Sequence, residues 1–134
     1  HPMFTEDQWA YANRVIELVN IERTAHGLNS VTATYNLSSA AQARAIEISN
    51  YYSHTRPNGE SCFSILPEYN VERRSAGENI AAGQYTPEEV VTDWLNSPGH
   101  RANILNAKFK YLGVGYYEEP SAHYKRYWCQ MFIG

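Results

Sequence analysis

Three short polar segments hold the side chains with the most chemistry to offer. His54 sits in Ser53-His54-Thr55, ahead of Arg56-Pro57-Asn58-Gly59. Glu78 sits in Gly77-Glu78-Asn79. His100 sits in Ser97-Pro98-Gly99-His100-Arg101. Two imidazoles and a carboxylate brought into one cleft can hold a divalent cation such as zinc with a coordination position left open, or act as a general acid/base pair. In the metal reading His54, His100 and Glu78 are the ligands, or Glu78 stands behind one imidazole and fixes its orientation. Asn79 and Ser97 complete the expected ligand-binding cleft. In the plain structural alternative, His54 orders a turn and Glu78 braces loops by accepting backbone N–H groups.

Turnover has weaker support than binding. Ser97 is the serine nearest His100, but no G-x-S-x-G elbow surrounds it, and its place before Pro98 makes it a helix cap. No H-E-x-x-H pair is present. A metal-activated water with Glu78 as base remains chemically open. A binding module is therefore the first reading, a metal-dependent hydrolase on the same three residues the second, and an adhesion domain without a ligand the third.

These residues need rigid elements to position them. A first helix begins with Thr5-Glu6-Asp7-Gln8, which fits a capping box, carries Trp9, Ala12, Ile16 and Val19 at helical spacing, and stops at His26-Gly27. A second helix over 37–52, capped by Asn36 or Ser38, has an apolar row of Leu37, Ala41, Ala45, Ile48 and Tyr52. It delivers His54 just beyond its end. Cys62 to Leu66 reads as a short buried helical turn ending before Pro67. Residues 78–82 read as a short strand carrying Glu78. A third helix follows Thr86, with Pro87 at its first position and Glu89 closing a capping box. A fourth, capped by Ser97, covers 100–105.

The C-terminal part changes period. Leu112 to Tyr117 and Tyr124 to Ile133 alternate as two antiparallel strands. On the second, Tyr127, Cys129, Met131 and Ile133 share one face, and Trp128, Gln130 and Phe132 the other. Apolar residues on both faces require cover on both sides, so the expected fold is a three-layer α/β/α sandwich with a mainly antiparallel central sheet.

The 134 residues suit one domain, placed at 5–134, with residues 1–4 a leader or cloning remnant. Hydrophobic residues make up 43% and charged residues 19%, which argues against disorder. With a net charge of −3 and no basic stripe, nucleic acid is excluded as a partner. No apolar run reaches the roughly 20 residues of a membrane span. The expected partner is a small ligand or another protein. Cys62 and Cys129 permit one long-range disulfide, with two buried thiols as the alternative. Tyr51, Tyr52, Tyr116, Tyr117, Tyr124 and Tyr127 either line a groove for peptide or glycan or, as favoured, serve mainly as core.

The order of these motifs resembles the CAP superfamily of cysteine-rich secretory, antigen 5 and pathogenesis-related 1 proteins, above all its bacterial SCP-like extracellular branch. Asn20-Ile21-Glu22-Arg23, Leu37-Ser38-Ser39-Ala40-Ala41-Gln42-Ala43, Ser53-His54-Thr55, Gly77-Glu78-Asn79, Trp94 to Arg101 and Gly113-Val114-Gly115 carry the resemblance across nearly the whole chain. It implies an α/β/α sandwich, an extracellular location and a cleft of two histidines and two acidic residues that in some members binds a divalent metal. His54, Glu78 and His100 match three of those positions. The fourth, often Glu, is Ser97 here. The sterol and lipid binding of some disulfide-rich members is not carried over to a chain with two cysteines.

Overall fold

The computed structural model describes residues 6–134. The expected leader at 1–4 and the Thr5 of the first capping box lie outside these residues. Helix α1 spans Glu6–Ala25 and α2 spans Tyr35–Asn50. One 3-10 turn, Cys62–Ser64, runs into the short α3, Ile65–Glu68. Strand β1 (Ala76–Ala82), α4 (Pro87–Leu95), α5 (Pro98–Ile104), β2 (Tyr111–Glu118) and β3 (Arg126–Ile133) complete the order.

The three strands form an antiparallel sheet in the order β1-β3-β2, so the last strand is the central one. Alternation then dictates the layers. Tyr127, Cys129, Met131 and Ile133 join Ile80 and the apolar face of α2 in one core. Trp128 and Phe132 join Leu112, Val114 and Tyr116 with α1 and α4 in the other. The expected α/β/α sandwich and the facing of the last strand are both what the structure contains.

Two glycines set how closely α2 lies on the sheet. A Cβ built on Gly113 would stand 2.3 Å from the Leu37 carbonyl oxygen, and one on Gly115 2.3 Å from that of Ala41. Both obstacles are backbone, so any side chain would lift the helix off β2. The small residues Ala40, Ala41 and Ala45 make the same contact possible from the helix side. Gln42 reaches past them and exchanges two 2.9 Å hydrogen bonds with the Tyr116 backbone, as a neighbouring strand would.

On the other face, Arg23 ties α1 to the α5 end. Its side chain is almost wholly buried and donates to the carbonyls of Asn29, Ile104, Asn106 and Phe109. Four neutral acceptors take the place of a carboxylate, and burial holds its pKa below the usual guanidinium value. This staple fixes the helix that carries His100.

Several element ends differ from the sequence reading. Thr34, not Asn36 or Ser38, caps α2, accepting from the Leu37 N–H at 3.3 Å. The helix ends at Asn50, where the cap residue Tyr51 is extended. Pro67 lies inside α3 rather than after it, which a first helical turn tolerates because those N–H groups have no intrahelical acceptor. Strand β1 begins two residues earlier than expected, at Ala76. The third helix is capped as read, with Thr86 accepting from Glu89 N–H at 3.1 Å, but Glu89 reaches the Tyr85 N–H instead of that of Thr86.

Candidate functional site

Glu78 is the centre from which the site is built. Strand β1 is an edge strand, and its alternation sends Glu78 toward the α2 layer and Asn79 toward the α1/α4/α5 layer. The Glu78 side chain is 1% exposed. Arg44, from the third turn of α2 and fully buried, clamps it with Nε 2.7 Å from Oε2 and Nη2 3.1 Å from Oε1. Cys129 on the adjacent strand donates its thiol to Oε2 at 3.5 Å. His54 stands 2.9 Å from Oε1 through Nδ1.

The charge state follows from these partners. Burial alone would raise the Glu78 carboxyl, but hydrogen bonds from His54 and Arg44 outweigh it and hold the group below the usual carboxylate range. An ionised carboxylate only accepts, so His54 Nδ1 donates a proton toward it, and Nε2 is the ring nitrogen that no hydrogen bond engages among the described residues. The His54 side chain is 58% exposed. It is therefore an imidazole whose inner nitrogen is fixed in the protein and whose outer nitrogen faces solvent.

An ion-pair ribbon below the loop keeps His54 in place. Arg44 also donates to Glu47 Oε1 and to the Ser53 carbonyl, both at 2.8 Å. Glu47 accepts from Arg56 at 2.8 Å, and Arg56 continues to Glu68 at 2.6 Å and to Ser64 Oγ at 2.9 Å. Ser53 and Arg56 flank His54, so both sides of the histidine are anchored to α2. The turn read at Asn58-Gly59 closes the loop, with Gly59 at φ 87°. The Cys62 N–H donates to the His54 carbonyl.

His100 approaches from the opposite layer. Asn79 donates to the His100 carbonyl at 3.1 Å and accepts from Asn103 at 2.9 Å, while Asn103 donates to the Glu78 carbonyl at 3.3 Å. Helix α5 is thus pinned to the strand segment that carries Glu78. Partial burial and, second, the electrostatic influence of His54 hold His100 below the ordinary histidine value. The two imidazoles are close enough to sense each other. Tyr52 stands nearby and half exposed, its phenol raised by burial, by Tyr124 and by Glu78.

The expected cleft residues therefore divide. His54, Glu78 and His100 share one neighbourhood. Asn79 does not reach it: its side chain is fully buried on the other face of β1 and spends its amide on His100, Asn103 and Gln130. It positions α5 and cannot touch a ligand. Ser97 occupies the cap position of α5 with extended backbone, half-buried, but makes no capping hydrogen bond with its side chain.

The expected disulfide is replaced by its alternative. Cys62 and Cys129 are buried free thiols. The Cys129 thiol donates to the Glu78 carboxylate, the Cys62 sulfur lies within 4.8 Å of it, and neither takes the other as a bonded partner. Burial, followed by the Glu78 charge, pushes the Cys62 thiol up to about 12 and raises the Cys129 thiol well above its ordinary value. They are protonated hydrogen-bond donors and poor nucleophiles.

The metal set also shifts. Among the described residues, the His/Cys/Asp/Glu group with ligand atoms within 4.8 Å of one another is His54, Cys62 and Glu78. His100 is outside it. Glu78 already accepts from Arg44, His54 and Cys129, which leaves it as the group that orients His54 better than as a ligand. The ring atom of this group left to meet an ion from solvent is the outer nitrogen of His54.

Arg44, Glu47 and Arg56 escaped the sequence reading. The signal was present: Arg44 interrupts the alanine-rich face of α2 and has Glu47 three residues on, a spacing that brings side chains together. Of the six tyrosines weighed as a groove, Tyr116 and Tyr127 are core, whereas Tyr51, Tyr52 and Tyr124 are exposed.

Comparison with known proteins gives one consistent result. The family model for the cysteine-rich secretory protein family, CAP, matches residues 16–132. The uncharacterized protein YkwD of Bacillus subtilis is 44% identical over 127 residues, covering 93% of this chain and 48% of that protein. The uncharacterized membrane protein YlbC of the same organism is 32% identical over 122 residues, covering 90% of this chain and 33% of that protein. The chain thus spans less than half the length of these relatives. Among solved structures, an extracellular protein containing a SCP domain from Bacillus anthracis superposes with a TM-score of 0.85 at 31% identity, covering 97% of this chain and 44% of that one. An outer surface protein from Borrelia burgdorferi shares the fold with a TM-score of 0.79 at 21% identity, covering 89% and 88%.

Proposed function

The chain belongs to the cysteine-rich secretory protein (CAP) family, and from that premise we propose that it is an extracellular binding module. Its cleft takes a small polar ligand or a divalent cation through His54 and His100. The observation that carries this reading is the state of His54: inner nitrogen locked to a buried carboxylate, outer nitrogen open to solvent, on a loop anchored by Arg44 and Arg56. A carboxylate behind an imidazole fixes its orientation, as it does behind metal-bound histidines. His54 and His100 would hold a zinc ion with positions open for water or ligand, one protein ligand short of the usual three, and a bound ion would supply Lewis acidity there. Extracellular placement is supported by the descriptions of the Bacillus anthracis and Borrelia structures.

Binding is favoured over hydrolysis by the same geometry. A metal-dependent hydrolase on these residues needs Glu78 free to take a proton. Glu78 is buried, clamped by Arg44 and held in its ionised form, so its basicity is already spent on the protein.

Calorimetric titration with Zn²⁺ at neutral pH tests the proposal, on the wild type and on His54→Ala/His100→Ala. One site per chain, lost in the double variant, is the expected result. Absence of binding in the wild type removes the cation from the reading. Hydrolysis that vanishes in a folded Glu78→Gln variant would replace the binding module with the enzyme.

A further inference from the structure

A second concave site lies at the other end of α2. The helix has 16 residues, so its N-terminus is about 24 Å from its C-terminal end beside the His54 loop. There Thr34, Tyr35 and Asn36 face Asn70, Val71 and Glu72 of the loop after α3, with Tyr111 and Ile133 at the strand ends. They enclose a groove of about 440 Å³, within the usual size of small-molecule sites. None of its residues belongs to the His54 cleft.

The lining has a definite chemistry. Val71 and Ile133 contribute a small apolar floor, and Tyr35 and Tyr111, 53% and 41% exposed, stand beside it. Among the described residues, the side-chain amides of Asn36 and Asn70 find no hydrogen-bond partner. Asn70 is held in the left-handed region at φ 60°, with its N–H bonded to the Pro67 carbonyl. The groove contains no lysine or arginine and one carboxylate, Glu72, so it does not suit an anion. Its apolar floor is too small for an acyl chain.

We propose that this groove binds a short neutral oligosaccharide. The negative face of a tyrosine ring attracts the weakly positive C–H face of a pyranose. An asparagine amide presents a donor and an acceptor side by side, the pattern that pairs with neighbouring sugar hydroxyls. A short oligosaccharide needs both kinds of contact in one open groove, and they coincide here.

The test is titration of ¹⁵N-labelled protein with cellotriose, maltotriose and triacetylchitotriose, each to about 10 mM, enough to detect millimolar affinity. At least one sugar should shift the amide resonances of Asn36, Asn70, Val71 and Tyr111 and leave those of His54 and His100 in place. Tyr111→Ala should weaken that binding roughly tenfold. Asn70→Gly keeps the left-handed backbone, removes only the amide, and should also weaken it, which secures the test if Tyr111→Ala fails to fold. No shift with any of the three sugars, shifts centred on the His54 cleft, or binding indifferent to both substitutions would overturn the proposal.

Discussion

Glu78→Gln should destabilise the protein far more than its single atom change suggests. The fully buried Arg44 gives two N–H groups to Glu78, and His54 and Cys129 add their donors to the same two oxygens. Glutamine offers one acceptor oxygen and replaces the other with an NH₂ group. Whichever way the amide turns, donors face a donor, and Arg44 loses its buried counter-charge. Removing one partner of a buried ion pair costs about 3–5 kcal/mol. Arg44 keeps Glu47 and the Ser53 carbonyl, so the low end applies, about 3 kcal/mol, or a fall of roughly 10 °C in Tm for a chain this size. Urea unfolding followed by circular dichroism measures it, with Arg44→Met and Arg44→Met/Glu78→Gln completing a cycle. The double variant should lose less than the sum of the singles by about 2 kcal/mol or more, since it buries no unpaired charge and leaves only one donor, from His54 or Cys129, facing the amide NH₂. A Glu78→Gln loss below about 1 kcal/mol, or strict additivity, would refute the reasoning.

Stability should fall in acid in two stages. His100 is held below 6.5 when folded, so the unfolded chain binds its proton first and stability drops as pH falls below 6.5; His100→Gln should flatten this limb. Glu78 and Glu47 are held below 4.5, so the stability they give is present above that value and is lost as pH falls through their folded pKa values. Chemical unfolding across the pH range reads both stages. Gly113→Ala should cost about 3 kcal/mol or more, or prevent folding, because its methyl would meet the Leu37 backbone, whereas Gly99→Ala, with open space around its Cβ, should be mild. Thermal melts of the two variants separate these cases. Both thiols should resist alkylation in the native protein and react on unfolding, giving two modified cysteines per chain by mass; an intact mass two hydrogens lighter, with nothing alkylated, would show a disulfide instead.

What the sequence disclosed was whatever rests on local rules. The period of two across Tyr127 to Ile133, the Thr86-Pro87 helix start and the Gly27 stop each follow from backbone preference and side-chain alternation. They held because no distant contact competes with them. Part of the expected set meets directly, since His54 bonds Glu78, while α5, which carries His100, is pinned beside the same strand. The inner workings of the site were not legible. Arg44 reads as an ordinary helix residue until the pairing of β1 with β3 places Glu78 beneath α2. Asn79 looked like a cleft residue because it neighbours Glu78 in sequence, but strand alternation sends the two to opposite layers. The thiols offered an even count that permits a bridge; only the fold shows one carboxylate between them. Strand order and cross-layer ion pairs are long-range facts, and no local pattern encodes them.

The most direct measurement is the protonation pattern of the two imidazoles, by long-range ¹H–¹⁵N correlation at neutral pH, before and after one equivalent of Zn²⁺. His54 should carry its proton on Nδ1, and Zn²⁺ should shift its Nε2 resonance together with a ring nitrogen of His100. A proton on His54 Nε2 would contradict the carboxylate-braced imidazole on which the proposed cleft rests. Zn²⁺ that leaves both rings unchanged would contradict its use as a cation site.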